Sequence, residues 1–412
     1  MSDFNRRIAI ITPFYTPAKL SGSSLLNKQI AELLKENGFQ VTVITSNAYW
    51  VRYWKDLLFN RTIKPKDIEE NGIRIIRLKH HHLISSITYL LSHYLNFILP
   101  KQVRAKFEIM HYGPFLDQKE LASQINKNNF DIVYSSTLPL FLNFQLVDII
   151  SKLNKKPTFI FRPDFHVALP VFHNYLLQSI LKRADLIQVF TKSEKKALMR
   201  TFNIKENKVK IIPAAIKIKN THISTKEVLD FKKKYKLGGK KIVLFVGERN
   251  YHKGALFLLK TMRNLFKEDQ SYILLSVGLS SKEWFLEKMF GERSFLIDLG
   301  YVSEKNKQIA FQVSNIFCLP SISESFGIVY LEAWLQKKPV IGVKIPAIRE
   351  LIENNKGGVC VEFNNELELK NAINLLTNNK SLARLYGLNG YRALKNKYNF
   401  NNLKTIYLKM FR

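Results

Sequence analysis

Short runs of apolar residues alternate along this chain with longer stretches in which apolar residues recur every three or four positions. Such runs are typical of buried parallel strands, and the longer stretches are typical of helices that cross between them. In the N-terminal half the predicted strands are 7–12, 40–45, 73–78, 131–136 and 158–162, and the predicted helices include 24–37, 117–127 and 141–154. In the C-terminal half the predicted strands are 241–247, 272–278, 294–300 and 315–319, and the last predicted helices are 381–397 and 401–411. Two such halves predict an α/β protein with two doubly wound, Rossmann-like domains.

The stretch 315–342 carries the clearest candidate chemistry. It predicts a strand at 315–319, a loop that starts at Pro320, a helix from Ser325 or Phe326, and another strand after Pro339. Glu324 lies in the loop and Glu332 lies eight residues later, inside the helix. In a parallel sheet this loop lies at the carboxyl ends of the strands, where ligands bind. The N-terminus of the helix offers unpaired N–H groups to an anion, and Gly327 allows the anion to approach closely.

These residues resemble a known enzyme family. Pro320-Ser321, Glu324-Ser325-Phe326-Gly327, Glu332-Ala333 and Pro339-Val340-Ile341 resemble the E-x7-E signature of the family 4 retaining glycosyltransferases. The resemblance implies the GT-B fold, in which two Rossmann-like doubly wound domains face each other across a cleft. It also implies a nucleotide-diphosphate-sugar donor and no required metal or other cofactor. The alternative is that Glu324 is a helix-cap carboxylate and Glu332 a solvated surface acid.

The resemblance also implies roles for individual residues. Glu324 would position the transferred sugar, and Glu332 would accept hydrogen bonds from the ribose hydroxyls. The loop 248–254 resembles the family's donor-phosphate loop: Lys253 matches in place, and Arg249 lies one position later than the usual arginine. The residues implied in donor binding are Arg249, Lys253, Ser325, Phe326, Gly327, Glu332 and Gly22.

In the N-terminal half the resemblance is looser. The loop 13–23 is similar to the family's first turn, but only Gly22 carries over from the usual pair of glycines. The segment 162–170 lies where the family often has a histidine near the donor sugar, so Asp164 and His166 are candidate catalytic residues beside Glu324. The usual histidine position falls on Pro163 in an alternative register. In that case His166 would be a loop histidine bonded to the backbone.

The same comparison predicts the division of the chain into domains. We expect an N-terminal acceptor-side domain at 1–216, a basic linker at 217–240 and a nucleotide-sugar-binding domain at 241–395. A C-terminal helix, 396–412, would cross back to the first domain. The length of 412 residues independently favours two domains, because single cores rarely grow that large.

The balance of charge is unusual. The chain has 64 Lys and Arg against 33 Asp and Glu, which gives a net charge of +31. Such an excess attracts polyanions, including anionic membranes, nucleic acids and phosphorylated ligands. The segment 83–99 is apolar and aromatic, but polar residues interrupt it, and we expect no transmembrane helix. Together with an N-terminus that lacks a signal-peptide pattern, these features predict a cytoplasmic protein that attaches peripherally to the inner face of the membrane.

Two other functions remain open from the residues alone. A GT-B sugar-nucleotide epimerase would share the architecture, and a basic nucleic-acid-binding protein would explain the charge. No aromatic RNA motif or helix-turn-helix pattern occurs, so we expect no specific nucleic acid as a partner. The expected partners are a nucleotide-diphosphate-sugar and a lipid-linked or other glycan acceptor. Cys318 and Cys360 lie in predicted strands and indicate buried apolar positions rather than a disulfide or a metal site.

Overall fold

A computed structural model describes residues 6–18, 22–49, 62–64, 66–81, 87, 100–110, 112–113, 115–218, 223–290 and 293–412. The chain divides into two units. The first comprises Met1–Pro213 together with Lys404–Arg412, and the second comprises Ala214–Leu403. Among the residues described, no helix is both long enough and apolar enough to cross a membrane.

The first unit is built on an eight-stranded sheet. Its strands are β1 (Arg7–Thr12), β2 (Gln40–Ser46), β3 (Asp67–Glu70), β4 (Ile73–Leu78), β5 (Ile132–Ser136), β6 (Thr158–Arg162), β7 (Leu186–Val189) and β8 (Val209–Ile211). They lie in the order β3-β4-β2-β1-β5-β6-β7-β8. Every neighbouring pair is parallel except β3 with β4. The central strands are apolar and buried because helices cover a parallel sheet on both faces.

Helices alternate with these strands along the chain. The helices are Gly22–Glu36, Lys101–Met110, Gln118–Asn128, Phe141–Lys152, Leu177–Arg183 and Lys192–Phe202. The C-terminal helix, Phe400–Met410, ends in this unit. There, Tyr407 Oη donates to the carbonyl of Pro213 at 2.9 Å, and the ring of Phe411 lies 5.6 Å from that of Tyr134.

The second unit is built on a six-stranded, fully parallel sheet. Its strands are β9 (Lys241–Val246), β10 (Tyr272–Val277), β11 (Leu296–Gly300), β12 (Ile316–Cys318), β13 (Val340–Val343) and β14 (Gly358–Val361). They lie in the order β11-β10-β9-β12-β13-β14. The helices are Thr225–Lys234, Ala255–Glu268, Lys282–Phe290, Glu304–Val313, Ile328–Leu335, Pro346–Ile352, Glu366–Asn378 and Lys380–Lys397.

Both sheets reverse their strand order near the middle. In the first unit the reversal lies between β1 and β5, and in the second it lies between β9 and β12. At such a switch point the connections leave toward opposite faces of the sheet, which opens a crevice at the carboxyl ends of the two strands. The loops after β1 and β5, and those after β9 and β12, are therefore the places to look for ligand-binding residues.

The predicted class, α/β with two doubly wound parallel sheets, is confirmed. The helix predicted to start near Ser325 or Phe326 begins two residues later, at Ile328, because Gly327 adopts a left-handed conformation with φ of +81° just before it. Part of the stretch predicted as a linker is helical, at Thr225–Lys234. Cys318 and Cys360 are buried and free, as predicted. The segment 83–99 lies outside the described residues except for Ile87.

Candidate active site

The loops after β9 and β12 contact each other at the switch point of the second sheet. The carbonyl of His252 accepts two hydrogen bonds of 3.0 Å, from the amide of Ile322 and from Ser321 Oγ. Gly254 adopts φ of +69°, and a Cβ placed there would lie only 2.0 Å from the carbonyl oxygen of Pro320. Only glycine allows this approach, so the way in which the loops pack requires Gly254.

Lys253 and Glu324 form an ion pair across these two loops. Lys253 Nζ lies 2.6 Å from Glu324 Oε1, and the two side chains are 30% and 10% exposed. The amide of Lys253 donates to Asn250 Oδ1 at 2.9 Å, which fixes the turn that presents the lysine. The structure therefore brings together two predicted site residues that are 71 positions apart in the sequence.

The third predicted element of this site is the N-terminus of the helix Ile328–Leu335. Its cap is Gly327, and no side chain caps this end of the helix. The interpretation of Glu324 as a helix-cap carboxylate is therefore wrong. The ring of Phe326 is buried against Tyr398, with 5.6 Å between the centroids, so this residue offers its backbone rather than its side chain. The first amides of a helix have no acceptor within the helix, and they favour an anion.

Glu332 lies on the same helix and pairs with a lysine that sequence reasoning missed. Lys307 Nζ lies 2.9 Å from Glu332 Oε1 and 2.9 Å from Glu304 Oε2. The side chain of Glu332 is only 14% exposed, so the interpretation as a solvated surface acid is wrong. Burial raises the pKa of Glu332 above its ordinary value, and the Lys307 cation opposes that rise.

Arg249, expected to bind the donor diphosphate, faces the interior instead. Its guanidinium pairs with Asp298, and Nη2 also donates to the carbonyl of Gly278 at 2.6 Å and to Ser280 Oγ at 2.8 Å. The side chain is 2% exposed, and burial lowers its pKa. Because these contacts occupy both terminal nitrogens, the guanidinium anchors the start of the loop 248–254 to the end of β10.

Asp298 completes this buried anchor. Its Oδ2 accepts hydrogen bonds from Lys288 Nζ at 3.0 Å and from Trp284 Nε1 at 3.3 Å. Burial opposes ionisation of this carboxyl, but Lys288 and Arg249 outweigh it and keep its pKa below the usual value. In the sequence, Asp298 is the single acid inside the apolar strand 294–300, and that pattern could have indicated a buried, paired carboxylate.

In the first unit, Asp164 also lies in a buried network. Its carboxylate accepts hydrogen bonds from Arg162 Nε at 2.7 Å, Ser23 Oγ at 2.5 Å and Thr137 Oγ1 at 2.8 Å. The carboxylate therefore joins the ends of β5 and β6 to the first turn of the helix Gly22–Glu36. Gly22 is the first residue of that helix. An acid whose oxygens already hold three donors is suited to positioning these loops rather than to transferring a proton.

His166 lies two residues after Asp164 and is partly exposed. Its ring packs on Phe172, with 5.0 Å between the centroids. The preceding peptide is held by Glu194, which accepts hydrogen bonds from the amides of Phe165 at 2.9 Å and Phe190 at 2.7 Å. Burial raises the pKa of Glu194 to about 8. This buried support, which no sequence motif indicated, sets the position of His166.

The described part of the chain contains no group of three or more His, Cys, Asp or Glu residues placed to hold a metal ion. At the site of the second unit, Lys253 and the N-terminus of the helix Ile328–Leu335 carry positive charge. A fixed ammonium and the amides of a helix end are groups that can stabilise a leaving diphosphate.

Comparison with known proteins shows which proteins this chain resembles. Residues 228–393 match the family described as glycosyl transferases group 1. An uncharacterised glycosyltransferase of Methanocaldococcus jannaschii is 22% identical, over 96% of this chain and 95% of the relative. O-antigen chain mannosyltransferase C of Escherichia coli is 23% identical, over 76% of each chain.

Solved structures agree with the architecture. Sucrose-phosphate synthase from Thermosynechococcus elongatus superposes with a TM-score of 0.75 at 18% identity, covering 99% of this chain and 98% of that one. Anabaena HepE in complex with UDP and glucose superposes with a TM-score of 0.73 at 14% identity, covering 98% and 99%. At these identities the likeness concerns the fold, which is the GT-B fold.

Proposed function

We propose that this chain, which has the GT-B fold and resembles the group 1 glycosyltransferases over residues 228–393, transfers a sugar with retention of anomeric configuration. The bond between the anomeric carbon and the diphosphate breaks, and a bond to the acceptor oxygen forms on the same face. The proton of the acceptor hydroxyl goes to the leaving phosphate oxygen. Charge therefore develops on the diphosphate, and stabilising that charge is the main task of the protein.

The ion pair of Lys253 with Glu324 is the observation that carries this proposal. An ammonium has three N–H donors, and Glu324 occupies one of them at 2.6 Å. The other two can bind phosphate oxygens. The carboxylate of Glu324 fixes the position of the ammonium and keeps further lone pairs for the hydroxyls of the sugar. The amides at Ser325 to Gly327, which lead into the helix Ile328–Leu335, and the first amides of that helix would bind the same diphosphate.

Glu332 is proposed to bind the ribose of the donor. An ionised carboxylate only accepts hydrogen bonds, so it can hold two hydroxyl donors at once. The contact with Lys307 supports this role, because a nearby cation keeps a largely buried carboxylate ionised. We propose uridine diphosphate sugars as the first donors to test, since HepE, which shares the fold, was solved with UDP and glucose.

For the acceptor we propose a lipid-linked glycan at the inner face of the membrane. The similarity to an O-antigen chain mannosyltransferase supports glycoconjugate synthesis, and the net charge of +31 supports contact with anionic lipids. Asp164 and His166 are proposed to shape the acceptor side: Asp164 as a positioning residue, and His166 as the group that contacts substrate. Gly22, at the start of its helix, would allow close approach of a phosphate or of the acceptor.

A thermal-shift screen tests donor binding directly. Nucleoside diphosphates and their sugar conjugates are added to the full chain, and the melting temperature is recorded. A ligand present at a concentration 100 times its Kd stabilises the fold by about 2.7 kcal/mol, which a thermal melt detects readily. We expect one nucleotide base to stabilise far more than the others. The absence of a shift with every nucleotide would contradict the proposal.

Turnover of the donor then separates transfer from epimerisation. The stabilising donor is incubated with and without a lipid-linked glycan acceptor, and the products are examined by NMR spectroscopy. A transferase consumes the donor in the presence of acceptor and makes a linkage with the anomeric configuration of the donor. An epimerase converts the donor alone. Activity that persists in excess EDTA is expected, because Lys253 and the helix amides supply the positive charge.

A further inference from the structure

A basic groove lies in the second unit, beside the helix Lys380–Lys397 and the turn after Pro346–Ile352. Its volume is about 280 Å³. No carboxylate lines it. The lining includes three cationic side chains and several asparagines, among them Lys356, Arg392, Lys397, Asn354, Asn355 and Asn389. None of these three cations forms an ion pair within the described part of the chain. Other cations of the same unit, such as Lys344 and Lys370, pair with glutamates.

Hydrogen bonds hold the groove in shape. Asn355 is 9% exposed, and its Nδ2 donates to the carbonyl of Leu351 at 2.7 Å and to Tyr398 Oη at 3.0 Å. Its Oδ1 accepts from Lys397 Nζ at 2.9 Å, so a buried amide sets the position of one cation.

A second asparagine contacts the backbone of Lys356 and the side chain of Arg392. Asn389 Nδ2 donates to the backbone carbonyl of Lys356 at 3.2 Å, and its Oδ1 lies 3.4 Å from Arg392 Nη1. The cations converge on one volume although they repel one another, and an anion between them would offset that repulsion.

We propose that this groove binds a small phosphorylated polyol, a ligand that carries a phosphate and free hydroxyl groups. Arg and Lys side chains donate charge-assisted hydrogen bonds to phosphate oxygens, and asparagine amides both donate to and accept from hydroxyls. A volume of about 280 Å³ holds roughly nine waters at about 30 Å³ each, which is enough room for a sugar phosphate.

The position of the groove links it to the candidate active site. Tyr398 accepts a hydrogen bond from Asn355 through its hydroxyl, while its ring packs on Phe326 of the loop that carries Glu324. A ligand in the groove therefore lies two contacts away from that loop. The groove is distinct from the donor site, and the proposal stands or falls independently of the donor assignment.

Calorimetric titration of the full chain with glucose 1-phosphate tests the proposal. The titration uses the Lys253→Ala background, so that the proposed donor site does not bind the phosphate, and a thermal melt confirms that each variant is folded. Glucose and inorganic phosphate are titrated in parallel. We expect saturable binding of glucose 1-phosphate, weaker binding of phosphate and none of glucose.

Two double variants with the same change of charge form the decisive comparison. Lys356→Ala with Arg392→Ala removes two groove cations and should weaken binding at least tenfold. Arg384→Ala with Lys395→Ala removes two cations from the same helix outside the groove and should change Kd by less than twofold. An equal loss in both double variants, or the absence of saturable binding of either phosphate probe or lipid vesicles, would overturn the proposal.

The same two double variants identify the source of the phosphorylated polyol. Vesicles of phosphatidylglycerol present a glycerol phosphate headgroup, whereas vesicles of phosphatidylcholine do not present a free polyol. If the groove variant loses binding to phosphatidylglycerol more than the matched control while glucose 1-phosphate does not bind, the ligand is a lipid headgroup. If only the soluble probe discriminates between the variants, the ligand is a free sugar phosphate.

Discussion

At the residue scale, the second unit places its functional charges in pairs that are largely shielded from water. Lys253 pairs with Glu324, Lys307 with Glu332, and Arg249 with Asp298. Removing one member of a buried pair leaves the other charge uncompensated, which costs about 3–5 kcal/mol. The exposures of the three pairs differ, so substitutions are expected to separate residues that serve the reaction from residues that serve the fold.

Lys253→Ala is expected to lower kcat/KM by about 100-fold or more, because it removes a transition-state charge in the donor-phosphate loop. Steady-state kinetics with the stabilising donor measures the effect. Lys260→Ala is the matched control: it removes one cation from the neighbouring helix, where Lys260 is 70% exposed. Glu324→Ala should be as damaging as Lys253→Ala. Turnover by Lys253→Ala close to that of the parent would remove the lysine from the phosphate site.

Glu332→Gln is expected to raise the KM for the donor more than it lowers kcat, since it removes an ionised acceptor of the ribose hydroxyls, worth roughly 1.5–3 kcal/mol. The pH dependence follows from the same carboxylate. Its pKa is raised above the ordinary value of 4.5, so the carboxylate protonates and donor affinity falls as the pH drops through that raised pKa. The variant should lack this fall.

The control for Glu332 is Glu304→Gln. Glu304 is the other carboxylate that contacts Lys307, but its side chain is 65% exposed. It should leave the donor KM close to that of the parent. A folded Glu332→Gln variant with an unchanged donor KM at every pH would exclude Glu332 from the site.

At the element scale, the loop after β9 is fastened at both of its ends. Arg249 anchors its start to the end of β10 through the carbonyl of Gly278, and Gly254 packs its end against Pro320. Lys253 lies between these two fixed points. The loop therefore presents the ammonium from a rigid support, as electrostatic stabilisation of a transition state requires.

Arg249→Ala should mainly destabilise the fold, by about 3–5 kcal/mol, because it leaves Asp298 buried beside a single lysine. Its effect on kcat/KM, measured where the variant is folded, should be smaller than that of Lys253→Ala. Urea denaturation and kinetics together measure both effects. Arg263→Ala breaks a more exposed pair with Glu287 and should cost less than about 1 kcal/mol. A stable but inactive Arg249→Ala variant would restore a direct role in phosphate binding.

Gly254→Ala should destabilise the protein more than Gly239→Ala, as measured by urea denaturation. Both glycines have φ of +69°, but a Cβ at Gly239 meets nothing within 4 Å, whereas one at Gly254 collides with the Pro320 carbonyl. Gly239→Ala should therefore lower the free energy of unfolding only by the strain of an alanine in the left-handed conformation, about 1–2 kcal/mol. Gly254→Ala should cost more and should also weaken donor binding, because the loops must separate. Equal effects of the two substitutions would contradict this account of the loop contact.

At the scale of the whole molecule, the net charge of +31 is spread over a chain that needs only a few cations for the proposed reaction. Of the basic residues that flank the apolar segment 83–99, Lys79, Arg104 and Lys106 are exposed, whereas Arg77 is buried and Arg74 pairs with Asp67. Each cation near an anionic surface contributes about 1 kcal/mol of attraction. The alternative for 83–99 itself is a core helix of the first unit.

Vesicle flotation tests the membrane proposal. At low salt we expect the protein to float with vesicles that contain anionic lipid and to remain behind with neutral vesicles. High salt should release it, because the attraction between exposed charges is screened over about 3 Å at 1 M. If the protein stays in the soluble fraction at low salt with anionic vesicles, the acceptor is a soluble molecule. The net charge then needs another explanation.

The sequence by itself determined the class of the fold, most of its elements and the position of the E-x7-E motif. Apolar periodicity is a local property, so strands such as Arg7–Thr12 and Ile73–Leu78 were predicted with their observed bounds. The residues Glu324 to Gly327 are contiguous, so they indicated the family without any knowledge of their contacts.

The tertiary structure alone decided which charged groups meet. Strand order brings Lys253 to Glu324 across 71 positions, Ser23 to Asp164 across 141 and Arg249 to Asp298 across 49. No local pattern encodes such distances, because they follow from which strands are neighbours in the sheet. For the same reason, Arg249 was predicted at the phosphates but lies in a buried anchor. The start of the helix at Ile328 depended on the left-handed backbone of Gly327, where a Cβ would also collide with the ring of Tyr330.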